Sequence, residues 1–419
     1  MSSNSSRILN KILRFKIKIL WLTVFILSCY FIYYVIENAA RPSHGFATYY
    51  TASRLLLQGE DVNNFYDDNW FSSKVKEDVP GVYEIYNVNT PTTAFMLLPI
   101  AFFNYSSARV CWTLFNLIIF IVTLVYLIRK NKLQNAWVPL IIILCLGFQP
   151  LYSNFAYGQV YVLVFCLLIL AWFTYESGRN ELLGFLLGLI FILKTAGIFL
   201  IILLLLQKKW RSFLWALATS VLFIISSLPR VGINAWYAYF ERLVNYSSHP
   251  SLSVTAYQTI HSFFHHFTVY DKQWNPEPLF NLPILGNVLS IVFSLLIIII
   301  TSISTVKFKK TDLSFGAFII AGIVISPASL DYHYIIMLIP VLILFSWLMH
   351  NPSNLFWALF LFFYLLMGVY LPYISPKVTG GLWAIFAYPK LYGAIGLLGL
   401  LLIVAYRSKP TEKQLIRKY

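Results

Sequence analysis

Charge is scarce in this chain. Asp and Glu number only 16 in 419 residues, and charged residues of both signs make up 11%, against about a quarter in soluble domains. That shortage excludes an ordinary water-soluble enzyme. Cysteine is scarce as well: Cys29, Cys111, Cys145 and Cys166 are the four present, and each sits inside an apolar run. A disulfide framework and a zinc ribbon are therefore excluded, and the four read as small buried packing residues. No G-x-G-x-x-G segment, P-loop or nucleophile elbow occurs, so nucleotide-driven chemistry on a cytosolic domain has no support.

What the chain has in abundance is apolar sequence, at 59% of residues and a mean hydropathy of +0.72. Runs close to the roughly 20 residues needed to cross a bilayer recur throughout, without the alternating ten-residue pattern of a membrane barrel. The fold class is all-α: a polytopic integral membrane protein, read as one membrane domain over 1–419. About twelve crossings are expected, at 20–36, 107–128, 137–150, 158–175, 181–193, 195–206, 211–228, 284–306, 313–326, 334–349, 354–371 and 385–405. The stretch 92–103, broken by Pro99, is too short to cross and reads as a re-entrant or tilted half-helix. The net charge of +15 does not point to nucleic acid, because the basic residues gather in short loops and tails. With the tails 1–19 and 406–419 and every second loop on one side, that side holds twenty of the 31 lysines and arginines, Arg129, Lys130, Lys132, Lys208, Lys209, Lys309 and Lys310 among them. The positive-inside rule then places both termini in the cytoplasm of a cell bounded by this plasma membrane, and two long loops, 37–91 and 229–283, outside it.

The first outer loop is where the missing acid went. Glu37, Glu60, Asp61, Asp67, Asp68, Glu77, Asp78 and Glu84 are half of the chain's carboxylates. The loop also carries His44, several tyrosines and the segment Tyr86-Asn-Val-Asn-Thr-Pro91, with Asn89 at its centre. Ionisable groups at membrane depth are costly and usually functional, so the few others stand out. Lys194 lies between two apolar runs; it is either a snorkelling anchor or a cation placed to hold phosphate. Gly158 and Gln159 open what reads as a helix, whose free N–H groups would favour an anion, unless they belong to a plain connecting loop. Asp331 and His333 fall at an outer helix boundary, where a His can orient or protonate a leaving phosphate. The second outer loop offers Gln258 and four histidines, His249, His261, His265 and His266. His261 and His265 are four apart but no Glu follows His261, so a metal site is not expected. An amphipathic cover helix, with Phe263, Phe264 and Phe267 towards lipid or core, fits better.

The order of these signals resembles one family. Gly45-Phe-Ala-Thr-Tyr-Tyr-Thr-Ala-Ser53, Asn87-Val-Asn-Thr-Pro-Thr-Thr-Ala94, Gly158-Gln159, Gly184 to Lys194, Gln207-Lys-Lys-Trp-Arg211 and Ser326-Pro327 to His333 follow one another over about residues 40–345. The set is similar to the polyprenyl-phosphate-dependent glycosyltransferases of the GT-C superfamily, and within it to the mannosyltransferase-like family 87. The resemblance implies a GT-C-like membrane transferase without a cofactor. Its donor would be a polyprenyl-phosphate sugar with a mannose-like hexose, and its acceptor a lipid-linked or cell-surface glycan or glycolipid outside the cytoplasm. Family members place an acidic residue immediately before the Phe-x-x-Tyr-Tyr segment; here that position is Gly45, preceded by His44.

Sugar transfer asks for a carboxylate in any case, because a hydroxyl is a poor nucleophile until a base removes its proton. One carboxylate acting in a single displacement inverts the anomeric carbon. The candidates for that base are Glu84 and Asp68, then Asp61 and Asp67, with His44 in reserve. The substrate- and phosphate-binding candidates are Asn89, Gly158, Gln159, Lys194, Gln258, Asp331 and His333, which would offset charge on the leaving phosphate. The rival expectations are a transporter or flippase of lipid-linked glycans, which should show internal repeats, and a polysaccharide polymerase or ligase using a diphosphate-linked donor.

Overall fold

The computed structural model describes residues 3–130, 137–246, 248–308 and 311–407. Among these the named elements are all α- or 3-10 helices, with one isolated bridge pairing Asp271 and Asn275. Six helices are long and apolar enough to cross a membrane: Phe15–Asn38, Tyr105–Lys130, Trp210–Val231, Pro283–Lys307, Asp331–His350 and Pro389–Arg407. Val138–Leu146 and Gln149–Tyr157, bent 51° against each other, would make a seventh as one broken span. Tyr161–Glu176, Asn180–Leu193, Thr195–Leu206, Asp312–Ile325 and Asn354–Gly368 coincide with further expected spans but have 10–17 residues. Length and composition alone thus assign six or seven crossings rather than twelve. Lys132, Lys309, Lys310 and most of the C-terminal tail, which entered the charge count, lie outside the described residues.

The helices divide into an outer and an inner set. Phe15–Asn38 and Pro283–Lys307 bury only 17% of their most apolar window, leaving Phe25, Ile36, Ile284 and Ile303 on open faces. Faces so apolar suit lipid rather than water, and the molecule is a polytopic membrane protein. Asp331–His350 is 72% buried over the same kind of window and runs through the centre. Close helix packing is bought with small residues: a Cβ on Gly184 would lie 2.3 Å from the Ser212 carbonyl oxygen, and one on Gly188 would lie 2.6 Å from that of Ala216. This spacing of four presses Asn180–Leu193 against Trp210–Val231 as small-residue pairs do in membranes. All four thiols are free. Cys145 and Cys166 are buried as expected, but Cys29 and Cys111 are exposed on outward faces, where a small apolar thiol is as well suited to lipid as to a core.

The acidic loop is a folded cap. His44–Gln58 is a helix closed by Gly59 in the left-handed region, and Val62–Tyr66 and Asp68–Asp78 follow. These elements bury a small core of their own around Phe65, Phe71, Val75 and Tyr86, extended by Val231 and Ala235 of the second loop region. The expected half-helix is two short pieces, Pro91–Met96 and the 3-10 turn Leu98–Phe102. In the second loop the Ile260–Thr268 helix turns its aromatics onto protein: Phe263 lies 5.1 Å from Tyr388 and Phe264 lies 4.9 Å from Phe293, centroid to centroid.

Candidate active site

One cavity of about 500 Å³ collects polar side chains from five separate parts of the chain. His44, Glu84 and Asn89 reach it from the cap, Gln159 and Lys194 from two helix breaks, and Asp331 and His333 from the start of the central helix. Residues up to 289 positions apart in sequence therefore meet in a space of the size that holds small ligands.

The cap supplies the first wall. Glu84 is half-buried; the Thr48 hydroxyl donates to its Oε2 (3.3 Å), and His44 Nδ1 lies 3.3 Å from its Oε1. Burial raises the Glu84 carboxyl above the ordinary carboxylate range, while His44 and the Thr48 hydrogen bond pull it back down. A carboxylate so placed is a better proton acceptor than one in water. Gly45, where the resemblance would place an acidic residue, has a steric reason to be a glycine. A Cβ on Gly45 would fall 2.2 Å from Gln159 Nε2 and 2.8 Å from the Tyr157 carbonyl oxygen. The Gln159 amide occupies the space, held by the Tyr49 hydroxyl, which donates to Gln159 Oε1 at 2.7 Å.

Lys194 is positioned by the end of its own helix. The last carbonyls of an α-helix lack partners within it, and at Asn180–Leu193 threonines of the cap provide them. The Thr90 and Thr92 hydroxyls donate to the Ile192 carbonyl (2.7 and 2.6 Å) and the Thr93 hydroxyl to that of Leu193 (3.0 Å). The next residue, Lys194, leaves the helix in extended backbone. Its ammonium donates to Asn89 Oδ1 and lies 5.2 Å from the centroid of the Tyr49 ring, a cation–π distance. Asn89 is fixed in turn by donating to the Tyr86 carbonyl at 2.6 Å.

Another wall carries a second carboxylate, with different partners. Asp331 Oδ1 is 2.7 Å from Lys390 Nζ, and its Oδ2 accepts from the Ser153 hydroxyl. Lys390 is 1% exposed and also donates to the Met367 carbonyl at 2.5 Å. His333 Nδ1 accepts from the Leu330 N–H at 2.9 Å, which leaves Nε2 as its donor. The imidazole is wedged 4.4 Å from the rings of Tyr161 and Tyr332. Lys194 and His333 also line a smaller hollow of about 230 Å³, whose other residues include Ile198, Phe199, Ile319 and Ile323.

Several expected residues stand elsewhere. Asp68 is held by Arg242 at 2.8 and 2.9 Å, Asp61 caps the Val62–Tyr66 turn, and Asp67 caps Asp68–Asp78. Among the described residues of the acidic loop, Glu84 is the one carboxylate that lines the cavity. Gly158 does not open a helix: it closes Gln149–Tyr157 in the left-handed region (φ 61°), and the next helix starts at Tyr161. Gln159, between the two helices, contributes its side chain to the site. Gln258 is fully buried; its amide donates to the Thr255 and Ala387 carbonyls (2.7 and 2.8 Å) and accepts from the Lys390 N–H (3.1 Å). It braces Lys390 rather than lining the space. The His261 and His265 rings lie 3.8 Å apart, tilted by 39°, and no cluster of three possible metal ligands occurs among the described residues.

Sequence reasoning missed three supports. Lys390 is one. The others are Arg109, which donates to the Phe155 carbonyl at 2.6 Å, and Trp112, whose indole donates to that of Gly158 at 2.9 Å. Together these two cap the helix end that leads into Gln159. An arginine and a tryptophan three apart in an apolar helix were the available signal, since both carry donors that must be satisfied.

Among curated proteins no sequence matches the chain significantly. The model of glycosyltransferase family 87 matches residues 87–330, a stretch that begins beside the cap's Asn87 and contains Asn89, Gln159 and Lys194. As that match covers more than half of its length, the chain belongs to glycosyltransferase family 87.

Proposed function

We propose that this glycosyltransferase moves a mannose-like hexose from a polyprenyl-phosphate donor to a glycan or glycolipid acceptor on the extracytoplasmic side of the plasma membrane, with inversion. Glu84 removes the acceptor hydroxyl's proton as that oxygen bonds to the anomeric carbon. The bond from that carbon to the phosphate oxygen breaks, and the departing lipid phosphate gains charge beside Lys194 and His333. The observation that carries this reading is a cavity with one carboxylate free of any lysine or arginine, Glu84, and one cavity cation, Lys194. A general base needs the first, and a developing phosphate dianion needs the second. The adjoining apolar hollow between Ile198–Leu206 and the Ile319 to Ile323 stretch suits an isoprenoid tail. No second carboxylate is available as a nucleophile, because Asp331 is held by Lys390 and Ser153, which favours single displacement. Both termini in the cytoplasm and twelve crossings complete the reading, on the charge bias of the loops.

The test is transfer by the full chain in nanodiscs from a polyprenyl-phosphate mannose, with mass analysis of lipid and acceptor. Release of polyprenyl phosphate with an acceptor one hexose heavier is the expected result, and Lys194→Ala should lower kcat/KM by about 10²- to 10³-fold. Movement of an unchanged donor lipid across the bilayer would establish the flippase instead. Use of diphosphate-linked oligosaccharide alone would establish a polymerase or ligase.

A further inference from the structure

A further hollow, of about 470 Å³ and lined by both polar and apolar side chains, lies beside the first and has no role so far. It shares Ala256 and Ile374 with the main cavity, whereas the apolar hollow shares Val88, Lys194, Ala328 and His333 with it. The apolar hollow and this further one have no lining residue in common. The three therefore run in one order: the hollow that holds Phe199 and Ile319, the central cavity, and the hollow that holds Trp274 and Glu277.

The walls of this further hollow are tied down. Asp271 Oδ1 accepts from the N–H groups of Gln273 and Trp274 (2.9 and 2.8 Å), and Asn275 donates to the His266 and Val269 carbonyls. The ring nitrogens of His266 lie 2.7 Å from the Ser253 and Thr379 carbonyl oxygens, joining the two sides. On this rigid turn Trp274 is 42% exposed, and the exposed Glu277 carboxylate has no ion-pair partner among the described residues. A flat indole beside a free carboxylate matches one chemistry well. A pyranose has an apolar C–H face to lie on the ring and a rim of hydroxyls to donate to the carboxylate.

We infer that this hollow is an acceptor subsite, in which the sugar next to the reacting one stacks on Trp274 with its hydroxyls towards Glu277. The acceptor is thereby a glycan of at least two rings. The inference rests on the proposed transfer reaction for the identity of the reacting sugar; the order of the hollows puts the donor's lipid at the far end.

The experiment uses the full chain in nanodiscs with octyl mono-, di- and trimannosides. Saturation-transfer NMR reads binding, and transfer from polyprenyl-phosphate mannose reads turnover. The wild type should bind the di- and trimannosides more tightly than the monomannoside. Trp274→Ala should weaken the longer ligands by roughly two- to tenfold and raise their KM alike, with kcat, donor KM and monomannoside binding unchanged. Trp274→Phe should recover part of the loss, and Glu277→Gln should weaken the longer ligands without affecting the stacking partner. Equal binding of all three ligands, or equal binding by wild type and Trp274→Ala, overturns the subsite. Selective saccharide binding without any transfer supports the subsite and counts against the proposed reaction alone.

Discussion

The two walls of the central cavity each contribute a carboxylate, and they differ in what neutralises it. Glu84, on the cap, has no lysine or arginine against it: a hydroxyl and an imidazole nitrogen each lie 3.3 Å away, and the Ile85 backbone N–H also donates to it. Asp331, on the central helix, is locked to a lysine that is 1% exposed and to a serine hydroxyl. Both oxygens of Asp331 are thus engaged by donors of the protein, whereas Glu84 has no cationic lysine or arginine in its way. In the proposed reaction the same functional group thus serves as reagent on one wall and as fixture on the other.

The largest test of this contrast is Glu84→Gln against Asp331→Asn. Loss of a general base costs about 10²- to 10⁴-fold in rate, so Glu84→Gln should lose that much kcat in the transfer assay and keep its thermal stability. Asp331→Asn should do the reverse, lowering the melting temperature more than kcat; a dead Asp331→Asn beside an active Glu84→Gln would invert the assignment. Next comes Lys390→Met, which strands the carboxylate of Asp331. Removing one partner of a buried pair costs about 3 kcal/mol or more, read as a lower unfolding temperature in detergent, and adding Asp331→Asn should restore part of it.

A smaller effect sharpens the contrast through pH. Burial raises Glu84, so the fraction in the active, ionised form is full at high pH and falls as pH drops through the raised value. The acid limb of the rate profile should therefore lie above the ordinary glutamate value of about 4.3. His44 opposes the rise, so His44→Gln should move the limb further up. Least affected should be Asp68→Asn. Its pair with Arg242 is partly exposed, with side chains 35% and 21% accessible. Such pairs contribute about 0.2–1 kcal/mol, so a small loss of thermal stability with unchanged kcat is expected.

Much of the site is legible in the sequence because polar side chains are so few. Gln159, Lys194, Asp331 and His333 stand out from apolar surroundings, His44, Glu84 and Asn89 come from the polar first loop, and the structure brings all seven to one cavity. Asp61 and Asp67 misled because a carboxylate in a loop is as often a helix cap as a reagent. Each stands one residue before a short helix and accepts from its free N–H groups, a pattern that the spacing already offered. Gly158 misled for the mirrored reason, since a glycine after Tyr157 suits a helix end better than a beginning. Lys390 could not be paired from sequence at all: its partner is 59 residues away on another helix, and a lone lysine in an apolar run looks like any membrane anchor. The crossings are the least legible feature, because several apolar runs are broken where the cavity needs side chains, as at Lys194.

The three threonine hydroxyls that grip Ile192 and Leu193 carry a mechanical consequence. They fasten the cap, including the strand of chain just after Glu84, to the helix end that presents Lys194. The backbone that follows Glu84 and the backbone that presents Lys194 are therefore pinned at one junction. A displacement of that helix end is therefore passed on to the backbone that follows Glu84.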